Sequence, residues 1–268
     1  MIAEAFLTTA GLALAGFSAR WNWWRPAAAG LPLLMYHKVG EPPAGSALRK
    51  LWVSTAQFRR QMTYLKNRGY APLTLTEAAA HLDAGRPLPR EGVVITFDDG
   101  YKNNLENAYP ILADFGWKAV IYIVVNAVGK DNFWHDPVHE ARIPMLDWDG
   151  VRRLSRAGWE IGSHTMNHKR LSLLSPAEAR AELVQSRAAL AEKLGAPPLS
   201  FAHPYGDGAD DLSLRRMIQD AGYRWAVSVH QGKGDVVNAP LCLKRIFVRG
   251  DDTPWDFHLN MTRGRARF

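Results

Sequence analysis

Apolar positions along this chain fall into short continuous runs separated by stretches of helical length. The runs are Leu33-Leu34-Met35-Tyr36, Val93-Val94-Ile95-Thr96-Phe97, Ala119 to Val124, Trp159 to Ser163, Leu199 to Ala202, Trp225 to Ser228 and Leu243 to Val248. Continuous β-branched runs of this length mark strands buried on both faces. Between them the punctuation is helical. Ser54 with Gln57 forms a capping box, Phe58, Met62 and Leu65 follow at helical spacing, and Gly69 stops the helix. A helix is predicted from about Asn103 to Phe115, with Gly116 at its end, and another near Asp149 to Ala157. Ser175-Pro176 with Glu178 starts a long helix over 176–194 that Gly195 closes, and Asp211 to Ala221 reads as a further helix. Residues 40–50, rich in Gly and Pro, read as a loop. Strands alternating with helices predict a parallel β/α architecture. No helix opens on a glycine-rich phosphate fingerprint, which argues against a nucleotide fold.

Polar residues gather just after the strands: Asp98, Asp99, His164 and Tyr205. In a barrel of parallel strands such positions share one rim. Thr96-Phe97-Asp98-Asp99-Gly100 puts two carboxylates at a strand end, where they repel unless a cation neutralises one of them. Neighbouring side chains point differently along a strand, so Asp99 could ligate a cation while Asp98 stays free as a base. Read alone, the segment is also an ordinary Asp-Gly turn. His164 and His168 stand four apart, a spacing that lets two imidazoles meet on one ion if the segment takes a helical turn. Two histidines and one aspartate form a three-ligand set with an open position, the pattern of catalytic zinc, and suit hydrolysis of an amide or ester. Pro204-Tyr205-Gly206 fixes a tight loop whose Tyr205 backbone N–H can serve an oxyanion.

Composition changes this picture little. With 268 residues, 47% apolar and 22% charged, the chain suits one large domain or two small ones. The net charge of +7 favours anionic surroundings, yet the basic residues are scattered and no nucleic-acid motif is present. One cysteine, Cys242, excludes an internal disulfide and reads as a small buried hydrophobe. Residues 1–30 form an apolar, Trp-rich segment. Within it residues 5–17 admit three readings: an export signal lacking its positive start, a membrane-surface anchor, or a packed helix. Residues 26–30 read as a linker, and 31–268 as the catalytic domain. The expected setting is the cell envelope or a membrane surface.

Together the three motifs, TFDDG at 96–100, HTMNH at 164–168 and PYG at 204–206, resemble the NodB-homology polysaccharide deacetylases of carbohydrate esterase family 4. The resemblance covers roughly residues 31–250 and implies a distorted (β/α)7 barrel. It implies Asp98 as catalytic base, Asp99, His164 and His168 as ligands of a divalent metal, and Tyr205 as donor of the oxyanion-stabilising amide. Zn²⁺ suits two nitrogens and a carboxylate, with Co²⁺ or Ni²⁺ also accommodated. The chain departs from the family pattern in two places. Ala202 and His203 stand where an arginine is usual before the third motif, and no Leu-x-His motif occurs near the C-terminus. Leu34-Met35-Tyr36-His37 matches the poly-N-acetylglucosamine deacetylase-like branch, which implies His37 as general acid, with Arg245 expected to replace the lost arginine that orients Asp98. The function implied is removal of N-acetyl groups from a glycan or a lipid-linked sugar. An O-acetyl esterase or deformylase, and a non-catalytic glycan-binding barrel, are the alternatives. His81, His135, His139, His230 and His258 read as surface or structural histidines, Lys102 as a solvated helix start, and Trp148 and Trp159 as core.

Overall fold

The computed structural model describes residues 23–267 together with 11, 15, 16, 18, 20 and 21. Most of the apolar stretch at 5–17 therefore lies outside the described residues. Among the described residues no helix is long and apolar enough to cross a membrane.

Seven parallel strands close on themselves. They are β1 (Leu33–Tyr36), β2 (Gly92–Phe97), β3 (Val120–Ile123), β4 (Glu160–Ser163), β5 (Ser200–Ala202), β6 (Trp225–Gln231) and β7 (Leu243–Phe247). Each pairs with the next, and β7 returns to β1 through Leu34 opposite Ile246. The predicted (β/α)7 barrel is thus the observed architecture. The helices are α1 (Thr55–Asn67), α2 (Leu75–Asp83), α3 (Tyr109–Asp114), α4 (Trp148–Arg156), α5 (Pro176–Leu194), α6 (Leu212–Asp220) and α7 (Pro254–Arg263).

Alternation along the strands sorts the core into two shells. Leu33, Val94, Val120, Tyr122, Ala202, Val227 and Leu243 form one buried cluster inside the barrel. Their neighbours Leu34, Ile95, Phe97, Ile121, Ile161 and Ile246 pack outward with Phe58, Met62, Leu65, Leu154 and Leu190 of the helices. On β2 the inward phase runs Val94, Thr96, Asp98, so the first carboxylate of the TFDDG motif continues the interior stack into the barrel mouth.

Several local expectations change in the structure. The helix expected over 103–115 begins as a wide π-turn, Asn104–Ala108, before α3. Pro110 has no N–H to continue the usual ladder, and the register slips by one residue there. The Ser54 cap is one-sided: Ser54 accepts the Gln57 N–H, but the Gln57 amide leaves for the Arg249 and Asp252 carbonyls. The box at Ser175 and Glu178 is complete. Trp159 is buried as expected, whereas Trp148 is only partly so. Cys242 is partly exposed rather than buried.

Candidate active site

At the end of β2 the chain turns sharply, and its two adjacent carboxylates part. Asp98 faces Arg245 of β7, whose two terminal nitrogens donate to its two oxygens at 2.6 and 2.7 Å. The guanidinium has no exposed surface. Its remaining donors reach the Ser228 carbonyl at 2.8 Å and Thr96 Oγ1 at 3.1 Å, and Thr96 in turn donates to the Leu34 carbonyl. Burial alone would raise the Asp98 pKa, but Arg245 outweighs it and holds the carboxyl below its ordinary value. His37, just past β1, sets Nε2 4.0 Å from Asp98 Oδ2. Burial lowers the His37 pKa despite that carboxylate.

Asp99 takes a left-handed backbone, φ 75°, which aims it away from its neighbour. One of its oxygens lies 3.2 Å from Nε2 of His164 and 3.2 Å from Nε2 of His168. His164 Nδ1 lies 2.7 Å from the Ala202 carbonyl, which can only accept, so Nδ1 carries a hydrogen and, in the neutral ring, Nε2 keeps its lone pair. The three donors all lie within 4.8 Å of one another and all three residues are buried. A buried carboxylate sharing one oxygen between two imidazole nitrogens, one of them tautomer-locked, fits a divalent cation.

The His164–His168 segment converges by turns with left-handed residues and not by the helical turn that the four-residue spacing would allow. Thr165 (φ 68°) and His168 (φ 57°) are left-handed, and Thr165 Oγ1 accepts the His168 N–H at 2.9 Å. Glu182 of α5 gathers the loop, accepting from Met166 N, Asn167 N and the Asn167 amide at 2.8, 2.9 and 2.6 Å. Tyr205 is left-handed too (φ 59°), and its ring meets the edge of His168 with centroids 4.5 Å apart. The four non-glycine residues of positive φ among those described, Asp99, Thr165, His168 and Tyr205, all belong to the three motifs. Strain of this kind persists where surrounding structure over-determines it, and it gathers at functional sites.

The structure therefore brings together all seven residues singled out from the sequence. Sequence reading missed four neighbours. Glu182 stands among several charged residues of the 176–194 helix, and nothing in the sequence sets it apart from them. Trp134 stacks on His168 at 4.5 Å. Lys38 and Glu140, both buried, form a pair at 3.6 Å beside the site. Lys38 carried one readable signal, a charge placed two residues after a buried strand.

The chain also has relatives among known proteins. Residues 85–226 match the family model described as polysaccharide deacetylase. A putative polysaccharide deacetylase of Bacillus subtilis is 27% identical over 218 residues, covering 81% of this chain and 71% of that protein. A poly-beta-1,6-N-acetyl-D-glucosamine N-deacetylase of Staphylococcus aureus is 29% identical over 208 residues, covering 74% and 68%. A Streptococcus pyogenes deacetylase solved with acetate superposes with a TM-score of 0.75 at 24% identity, covering 87% of this chain and 99% of that one, a likeness of fold.

Proposed function

Because the chain belongs to the polysaccharide deacetylase family, the NodB-homology group of carbohydrate esterase family 4, we propose that it removes N-acetyl groups from amino-sugar units of a glycan in a reaction that requires a divalent cation. The observation that carries this reading is the division of labour between adjacent carboxylates: Asp98 is tied to a buried guanidinium, and Asp99 faces two imidazole nitrogens.

Asp99, His164 and His168 would hold the cation. When bound, such an ion supplies Lewis acidity and lowers the pKa of water. Asp98 accepts the proton that the attacking water loses as it adds to the acetamide carbonyl. Arg245 keeps Asp98 ionised and fixes both of its oxygens in one plane. The Tyr205 N–H donates to the oxyanion of the tetrahedral intermediate, an interaction of a type worth about 10²–10³ in rate. His37 donates a proton to the amine nitrogen as the carbon–nitrogen bond breaks, giving acetate and a free amino sugar. The S. aureus relative's substrate supports a poly-N-acetylglucosamine-like glycan.

The test is acetate release from N-acetylglucosamine oligomers before and after chelation, with Zn²⁺, Co²⁺ or Ni²⁺ added back. Activity should vanish with chelator and return with metal. Full activity in the chelated protein would overturn the cation requirement. Release of acetate or formate from O-acyl sugars alone would overturn N-deacetylation.

A further inference from the structure

A second group of metal-ligating side chains lies outside the catalytic mouth. Asp210 in the loop before α6, His230 on β6 and Cys242 just before β7 bring a carboxylate, an imidazole and the chain's single thiol together, with donor atoms all within 4.8 Å of one another. The Asp210 carboxylate sits between the other two. Its Oδ2 lies 2.9 Å from His230 Nε2, and its Oδ1 lies 3.9 Å from Cys242 Sγ. His230 Nε2 has no hydrogen-bond partner of good geometry, although no surface of that atom is open to solvent. One competitor is present: Arg215 approaches Asp210 Oδ1 at 3.3 Å, a long contact on an exposed carboxylate.

We propose that Asp210, His230 and Cys242 bind one soft or borderline divalent ion of the zinc class. Thiolate and imidazole together select such ions over Mg²⁺ or Ca²⁺. The donors come from three segments of chain, so an ion there would staple the loop that follows the PYG motif to the β6 and β7 strands. Ligation requires the thiolate, and the thiol proton passes to solvent as the ion enters. The half-exposed position leaves room for water to complete the shell.

Sulfur makes this site distinguishable from the catalytic one, whose donors are two nitrogens and one oxygen. Metal-free protein kept reduced and titrated with Co²⁺ should develop a thiolate-to-metal charge-transfer band in the near ultraviolet, saturating by two ions per chain in the wild type, where the catalytic site also fills, and by one in Asp99→Asn. Asp99→Asn should leave the band in place. Cys242→Ser should abolish it, and His230→Ala should weaken the affinity read from it at least tenfold. These two residues lie away from the core, so circular dichroism should show both variants folded. Absence of the band in the wild-type chain overturns the proposal. So does a band whose affinity is unchanged in His230→Ala, which would mean adventitious binding by the thiol alone.

Discussion

Arg245 carries a full charge with no exposed surface, and Asp98 makes that tolerable by accepting two parallel hydrogen bonds. The planar guanidinium can hold both carboxylate oxygens at once, which a lysine ammonium cannot do. Asp98→Asn should lower turnover about 10²–10⁴-fold, the ordinary worth of a positioned base, while bound metal per chain stays unchanged. Arg245→Lys should lower kcat with metal content likewise intact. Initial rates and metal analysis, taken well below each variant's Tm, check both; an Asp98→Asn rate within tenfold of wild type removes Asp98 from the role of base. Asp252 shows the opposite outcome of burial. Its side chain is 4% exposed, it accepts the Arg249 backbone N–H at 3.0 Å, and the nearest guanidinium nitrogen, of Arg267, stands 3.8 Å away. Burial pushes its pKa up to about 6, above the unfolded value of about 3.9. A raised folded pKa means the stability linked to its protonated form is full below about pH 4 and is lost as pH rises through 6. Asp252→Asn should therefore raise Tm at pH 8 and leave it nearly unchanged at pH 4. A thermal melt at the two pH values decides this, and an equal shift at both contradicts the sign.

At the scale of elements, the second motif depends on α5. Three donors of the Met166–Asn167 turn converge on Glu182, which is buried. Glutamine at that place can accept but also presents an NH₂ to N–H groups. Glu182→Gln should therefore loosen the loop that sets His168 and weaken cation affinity about 10–100-fold, the usual effect of losing support behind a ligand. Calorimetric titration with Zn²⁺ checks this; unchanged affinity would show that the turn holds itself. The same contact explains where sequence reading stops. The strands were legible because Val93 to Phe97 and its counterparts are apolar on both faces, and the closing glycines and the Ser175 cap marked helix ends. The motif residues were legible by type and spacing. The left-handed path of Thr165 and His168 was not, because the turn between them is tied in part to Glu182, fourteen positions beyond His168. The half-used cap at Ser54 failed likewise, since Gln57 bonds to carbonyls about two hundred residues away. Helices α2 and α7 carry complete capping boxes at Thr74–Glu77 and Thr253–Asp256. Those signals were present in the sequence and went unread, as the apolar periods behind them are short.

On the scale of the molecule, the mouth of the barrel is assembled from loops that share one buried ion pair. Lys38 follows His37 directly, and its ammonium has no exposed surface and no hydrogen-bond partner, lying 3.6 Å from Glu140 and over the Tyr101 ring at 4.6 Å. Glu140 also accepts from Ser46 Oγ at 2.8 Å and Leu48 N at 2.9 Å, so it joins the 40–50 loop to the 130–146 loop. The latter loop carries Trp134, which stacks on His168. The two members of the pair are unequally provided for. Glu140 keeps two donors if Lys38 is lost, whereas Lys38 keeps only aromatic faces and the longer-range attraction of Asp99 if Glu140 is neutralised. Breaking a buried pair from the side that strands a charge costs about 3–5 kcal/mol, while replacing both members by neutral groups is often harmless. Glu140→Gln should consequently be the most damaging change, Lys38→Met milder, and the double variant close to wild type in Tm. Activity should follow the same order, because what the pair supplies to the site is the seating of Trp134 against His168. Chemical denaturation and acetate-release rates on the three variants test this together. If the double variant regains its Tm but not its rate, the Lys38 charge acts on the chemistry itself, and the account of the pair as a tie between loops fails.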